Sequence, residues 1–187
     1  MKKAFIMILA ALTALCAGCS APGWEPEQTP APAVTAPPEA TEAPADTGAA
    51  GILGLDTTDI FGKPISFSDI KDAKIIMVNF WETWCPPCMG ELPDLQATYV
   101  NYKNSGLVIL GVYSSSSLKE VLSTVQSVGM TYPVFEVTEN LSQYQTQYVP
   151  TTVFFNSDGE LLTDEPVIGS MNGEQWDELI SSLLENN

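Results

Sequence analysis

Cys85-Pro86-Pro87-Cys88 holds the residues of this chain best suited to chemistry. Two cysteines at this spacing can close a disulfide and reopen it, exchanging two electrons with another dithiol. The pair follows an apolar run, Ile75 to Trp81, and opens a helical pattern. At such a junction the strand fixes the first sulfur in space and the helix N-terminus favours its thiolate. Cys85 is therefore the candidate nucleophile. Cys88, one turn later on the same face, is the candidate resolving thiol. The alternative is a static structural bridge, but a loop this short gains little stability from closure.

Pro86 and Pro87 carry no backbone N–H, so two potential donors to the Cys85 sulfur are missing. Their rings also stiffen the loop that holds the sulfurs together. Both effects favour the disulfide over the dithiol, which makes the pair a reductant. The expected Cys85 thiol is far less acidic than that of strong disulfide oxidants.

The rest of the inventory narrows the chemistry. The chain has 4 cysteines and no histidine. A zinc or iron–sulfur site needs about four ligands. If Cys16 leaves with a secretory leader and Cys19 carries lipid, only Cys85 and Cys88 remain as thiols, so no metal site and no cofactor beyond the redox-active disulfide is expected.

Residues 1–19 read as a secretory leader: Lys2 and Lys3, then an apolar stretch from Ala4 to Leu15, then small residues. Ala17-Gly18-Cys19 resembles the lipobox of bacterial lipoproteins, with Cys16 where leucine is usual, which makes Cys19 the expected lipidation site. Ordinary signal-peptidase cleavage is the alternative. Residues 20–50 are rich in Pro, Ala, Thr and Glu and poor in large apolar side chains, so they read as a disordered tether. Such a tether spans about 30 Å as a coil and about 95 Å as an extended polyproline chain. Residues 51–187 suit one domain with a sizeable core.

All 7 basic residues are lysines, against 23 acids, for a net charge of −16. Removing Lys2 and Lys3 with the leader brings the charge near −18, from −16 less two positive charges. Nucleic acid is thereby excluded as a partner. Anionic lipid is repelled too, so membrane attachment falls to the lipid anchor.

Alternating strand and helix patterns must position the cysteines. Asp56 to Phe67 reads as a hairpin turning at Phe61-Gly62-Lys63-Pro64, with Ser68 and Asp69 capping a helical turn that ends near Lys71. Residues 75–81 and 107–113 read as strands buried on both faces. The helix 85–102 presents Leu92, Leu95, Tyr99 and Tyr102 on one side, with a kink expected at Pro93. The serines at 114–117 start a helix with the stripe Leu118, Val121, Leu122 and Val125, ending at Gly129. Then come a strand at 133–137, a helix at 140–148 and a strand at 151–155. A turn at 157–159 leads to a return strand at 160–168, followed by a helix carrying Trp176, Leu179, Ile180, Leu183 and Leu184. The pattern is α/β: a mixed sheet covered by helices.

Gly62-Lys63, Ser66-Phe67-Ser68-Asp69, Val78 to Cys88, Glu91-Leu92-Pro93 and Val149-Pro150-Thr151-Thr152 together resemble the TlpA/ResA-like branch of the thioredoxin superfamily. The likeness covers residues 51–187. It implies a thioredoxin-like fold with a central mixed β-sheet flanked by helices, an N-terminal hairpin and a central strand–helix insertion. Pro150, 62 positions after Cys88, is spaced as in this family. The resemblance makes Pro150 a cis-proline and makes Val149 and Pro150 the platform on which a substrate strand pairs. It assigns proton transfer to Glu91, where thioredoxins use an acid at the strand position here held by Asn79. An ordinary solvated helix glutamate is the other reading of Glu91. Trp84 is expected to shield the site and touch partners, Trp81 to lie in the core, and Glu82 to sit at the surface. The copper-delivery relatives of this fold need a histidine ligand, and none is present.

The resemblance implies an extracytoplasmic, lipid-anchored thiol-disulfide oxidoreductase of the bacterial cell membrane. It would be a monomer that reduces protein disulfides, in cytochrome c maturation or surface-protein repair. A membrane protein of the CcdA/DsbD type would resupply its electrons. Two other readings stand beside this. One is a peroxiredoxin-like peroxidase, which needs Thr or Ser three residues before its cysteine and an Arg nearby, and this chain has no Arg. The other is a non-catalytic binding lipoprotein on the same scaffold.

Overall fold

A computed structural model describes residues 51–187. The leader, Cys19 and the expected tether lie outside the described residues. After a 3₁₀ turn at Ile52–Gly54 the elements run β1 (Asp56–Thr58), β2 (Pro64–Ser66), α1 (Phe67–Ile70), β3 (Ile75–Phe80) and α2 (Pro86–Tyr102). They continue with β4 (Leu107–Tyr113), α3 (Leu118–Val128), β5 (Val134–Glu136), α4 (Glu139–Ser142), β6 (Thr151–Phe155), β7 (Val167–Ile168) and α5 (Gly173–Asn186).

Five strands form a mixed sheet in the order β5-β4-β3-β6-β7. β3 pairs parallel to β4 and antiparallel to β6, so the strand leading into the cysteines is hydrogen-bonded on both edges. All six of its residues are buried, which explains an apolar run without polar alternation. α2, α3 and α5 cover one face, with Leu92, Leu95, Val121, Val125, Trp176 and Ile180 in its core. The other face is covered by Ile52, Leu55, Ile65, Ile70 and Leu141, from the N-terminal turn, the β1–β2 hairpin, α1 and α4. β5 and α4 stand between α3 and β6, where the resemblance implies an insertion. This is the α/β, thioredoxin-like architecture. Among the described residues no helix is long and apolar enough to cross a membrane.

Several local readings need correction. The cap of α1 is Ser66, not Ser68: Asp69 accepts from the Ser66 N–H and hydroxyl, each at 2.8 Å. Leu118 is 49% exposed and drops out of the α3 stripe, because Ser117 caps the helix and leaves Leu118 on its solvent-facing first turn. Thr124 is buried in that helix instead. The helix expected at 140–148 stops at Ser142, and Thr146 Oγ1 accepts the Tyr148 N–H in a local turn that competes with helix. The return strand shrinks to a bridge at Leu161 and the two-residue β7, with Pro166 unable to donate to a ladder between them. The helix expected at 85–102 stands, as α2 of 17 residues with Pro93 inside it.

Candidate functional site

β3 delivers the chain to the site and α2 begins there. Cys85 is the N-cap of α2, its N–H bonded to the Glu82 carbonyl at 3.2 Å and its carbonyl accepting from Met89 at 3.0 Å. With Pro86 and Pro87 opening the helix, the Cys88 N–H, 3.2 Å from Cys85 Sγ, is the donor the first turn offers that sulfur. The two cysteines form a disulfide with Cα atoms 5.3 Å apart. Both are buried, Cys88 fully and Cys85 at 4% exposure.

Across from Cys85 lies the segment before β6. The Val149–Pro150 peptide bond is cis, and the Val149 carbonyl oxygen is 3.4 Å from Cys85 Sγ. A disulfide sulfur carries no proton, so this is a contact; only the reduced thiol could donate across it. The turn is tied down on both sides: Gly169 donates to the Pro150 carbonyl at 2.9 Å and Thr151 Oγ1 to the Tyr148 carbonyl at 2.7 Å. Trp84 is 64% exposed, with its indole N–H bonded to Ser115 Oγ at 3.1 Å. Cys85, Val149 and Pro150 thus meet at one point, with Trp84 beside the nucleophile.

Beneath the pair, Glu91 is 2% exposed on the same face of α2 as Cys88. It is not a solvated helix glutamate. Its Oε1 accepts the Met171 N–H at 2.8 Å, while Oε2 has no partner. Burial pushes its carboxyl up to about 7. The Met171 amide and the nearby Asn79 and Trp176 side chains oppose that rise without cancelling it. Neither neighbour closes a hydrogen bond of normal geometry to it: Trp176 Nε1 is unpaired, and Asn79 spends its amide on Thr152 Oγ1 at 2.9 Å. Asn79 Oδ1 and the Tyr132 hydroxyl are also buried and unpaired.

Glu82 overturns the expectation of a surface residue. It is 2% exposed, and its carboxylate accepts five hydrogen bonds from the serine run. Burial works to raise its carboxyl, but the Ser116 and Ser114 bonds together hold it below the usual range. The sequence offers one hint, a serine run rich in donors just after strand β4, but nothing local ties it to Glu82. Trp81, as expected, is in the core at 1% exposure. Among the described residues no group of three or more His, Cys, Asp or Glu side chains is arranged to hold a metal ion.

Comparison with known proteins agrees with this geometry. The model of the AhpC/TSA family matches residues 31–163. The thiol-disulfide oxidoreductase ResA of a Bacillus cereus strain is 30% identical over 128 residues, 67% of this chain and 72% of that protein. ResA of Bacillus subtilis is 35% identical over 115 residues, 60% of this chain and 63% of its own length. Among solved structures, StoA from Bacillus subtilis matches with a TM-score of 0.57 at 25% identity, over 67% of this chain and 95% of StoA. A thioredoxin-family thiol:disulfide interchange protein from Chlorobium tepidum TLS shares the fold, with a TM-score of 0.65 at 24% identity, over 75% of this chain and 99% of that one. The chain belongs to the AhpC/TSA family and, within it, to the ResA-like thiol-disulfide oxidoreductases of thioredoxin-like fold.

Proposed function

We propose that this oxidoreductase works as a reductase of protein disulfides, with Cys85 as nucleophile, Cys88 as resolving thiol and Glu91 as the proton-transfer group. The observation that carries the reading is the buried Cys88–Glu91 face beneath an N-capping Cys85. Cys85 thiolate attacks one sulfur of a substrate disulfide, forming a mixed disulfide and releasing one substrate thiolate. Cys88 then gives its proton to Glu91 and attacks Cys85 Sγ, expelling the second substrate thiolate. Two electrons pass to the substrate, and the Cys85–Cys88 disulfide remains. A carboxyl near 7 suits this task, because it can both take and return a proton at neutral pH. Val149 and Pro150, held beside Cys85, are the platform for the substrate strand, with Trp84 as a flat contact at its edge.

The first turn of α2 supports this direction of electron flow. A Cys85 thiolate there finds one main-chain donor, Cys88 N–H, and two prolines. Little stabilises the thiolate form, which favours the disulfide and makes the pair reducing. A peroxidase is the weaker reading: Glu82 occupies the position three residues before Cys85, and no arginine is present. A scaffold that only binds gives no role to a buried acid placed under a cysteine pair.

For the cell, the reading is of a leader at 1–19, lipidation at Cys19, a tether at 20–50 and a monomeric catalytic domain at 51–187. On this reading the enzyme works outside the membrane, where a membrane donor of the CcdA/DsbD type resupplies electrons. Trapping tests the catalytic order: Cys88→Ser should accumulate a mixed disulfide through Cys85 with an oxidised protein substrate, and Cys85→Ser should not. Accumulation through Cys88 in the Cys85→Ser chain alone would reverse the assignment. Cys19→Ser should move the full chain from the membrane to the soluble fraction.

A further inference from the structure

Glu82 has a place in the structure that the cysteine chemistry does not account for. A buried carboxylate is costly unless its oxygens are satisfied, and here they are satisfied from one loop. Oε1 accepts Ser114 N–H at 2.8 Å, Ser114 Oγ at 2.8 Å and Ser115 N–H at 2.9 Å. Oε2 accepts Ser116 N–H at 2.7 Å and the Ser116 hydroxyl. Ser116 Oγ in turn accepts from Thr83 N–H at 2.8 Å and Thr83 Oγ1 at 3.1 Å, which uses its proton and both lone pairs. Ser115 Oγ then takes the Trp84 indole N–H at 3.1 Å.

Three consecutive residues of the cysteine loop, Glu82, Thr83 and Trp84, are therefore bound side by side to three consecutive serines. The next residue, Cys85, donates its N–H to the Glu82 carbonyl. The cysteine loop, the serine run and α3 together line a groove of about 330 Å³, with Thr83, Trp84, Ser115, Ser116, Glu120, Ser123 and Thr124 around it. The groove starts one residue before the nucleophile, and Trp84, Ser115, Glu120 and Ser123 form its exposed rim.

We propose that Glu82 is a positioning residue whose buried carboxylate clamps the Thr83–Trp84–Cys85 segment to the Ser114–Ser116 loop, and so sets the groove that receives a protein substrate beside Cys85. It touches neither sulfur nor substrate. Its effect is on where Trp84 and the groove wall stand when a protein docks, and small thiols, which need no groove, pass it by. The proposal rests on Cys85 being the exchanging sulfur.

The test compares two reactions of the same chain. In Glu82→Gln the side chain keeps its size, but one oxygen becomes an NH₂ that faces N–H and O–H donors. The kcat/KM for reduction of insulin should fall by about 10- to 100-fold, the scale set by misplacing a docking surface by about 1 Å. The rate at which dithiothreitol reduces the Cys85–Cys88 disulfide should move by at most about twofold. Ser115→Ala, which frees the Trp84 indole alone, should show the same split more weakly, and it serves as the test if Glu82→Gln does not fold. Parallel loss of both reactions, or an unchanged insulin rate, would overturn the clamp. A wild-type chain whose disulfide resists dithiothreitol would instead overturn the underlying assignment of Cys85.

Discussion

Two glutamates flank the cysteine pair at the same 2% exposure, and they have opposite electrostatic fates. Glu82 is met by five donors and stays ionised, its carboxyl held below the usual range. Glu91 is met by one main-chain N–H on one oxygen and by nothing on the other, and its carboxyl rises to about 7. Solvent exposure is the same, but Glu91 lies deeper and has far fewer donors. A carboxylate that is fully satisfied becomes a strut, and one that is starved of donors becomes a group that titrates at neutral pH. Function divides along that line: one acid holds the loop, the other is poised to move a proton.

The largest effect belongs to the sulfurs themselves. Cys85→Ser should reduce disulfide exchange to the uncatalysed background in an insulin assay, and this sets the floor against which either glutamate is read. Next comes Glu82→Ala, which strips five donors of their acceptor. It should lower stability by about 2–4 kcal/mol, seen as a shifted urea midpoint with little change in slope.

Glu91→Gln sharpens the contrast because its sign is opposite. Folded Glu91 keeps its proton up to about pH 7, whereas the unfolded chain releases it near 4.5. Between these values the native state binds more protons, so wild-type stability falls as pH rises through the window. By pH 8 the loss is about 3 kcal/mol, and Glu91→Gln should recover it while flattening the slope between pH 5 and 7. Glu82 runs the other way. Its lowered carboxyl supports folding above the usual carboxylate range and loses that support as pH falls through it. Urea titrations of the two glutamine variants at pH 4, 6 and 8 separate the slopes; parallel curves would erase the distinction.

Smaller effects lie at the rim. Ser116→Ala removes one hydroxyl from the Glu82 network and should cost about 1–2 kcal/mol. Trp84→Ala, at an exposed position, should leave stability within about 0.5 kcal/mol. It should still lower kcat/KM for insulin by about tenfold, as loss of an aromatic contact does.

What can be read from the sequence follows the same physics. The continuous apolar runs of β3 and β4, the Cys-Pro-Pro-Cys turn and the Trp176–Leu183 stripe each carry a local signal, and each stands where the pattern puts it. Glu91 is legible only through the resemblance, since its burial depends on α5 packing over α2 and on the Met171 amide, 80 positions away. Glu82 misleads for a related reason. Its partners lie 32 to 34 positions on, and a glutamate looks solvated until the loop that satisfies it is in place. The return strand fails because Pro166 and the charged Asp164–Glu165 interrupt a ladder that alternation alone would have continued.

Whether the Cys85–Cys88 couple is a reductant is read from the reduction potential of soluble 51–187 equilibrated in defined thiol buffers. A value below about −230 mV is expected for a pair whose thiolate has one main-chain donor and two prolines around it. A value above about −150 mV would mark an oxidant and overturn the reductase assignment.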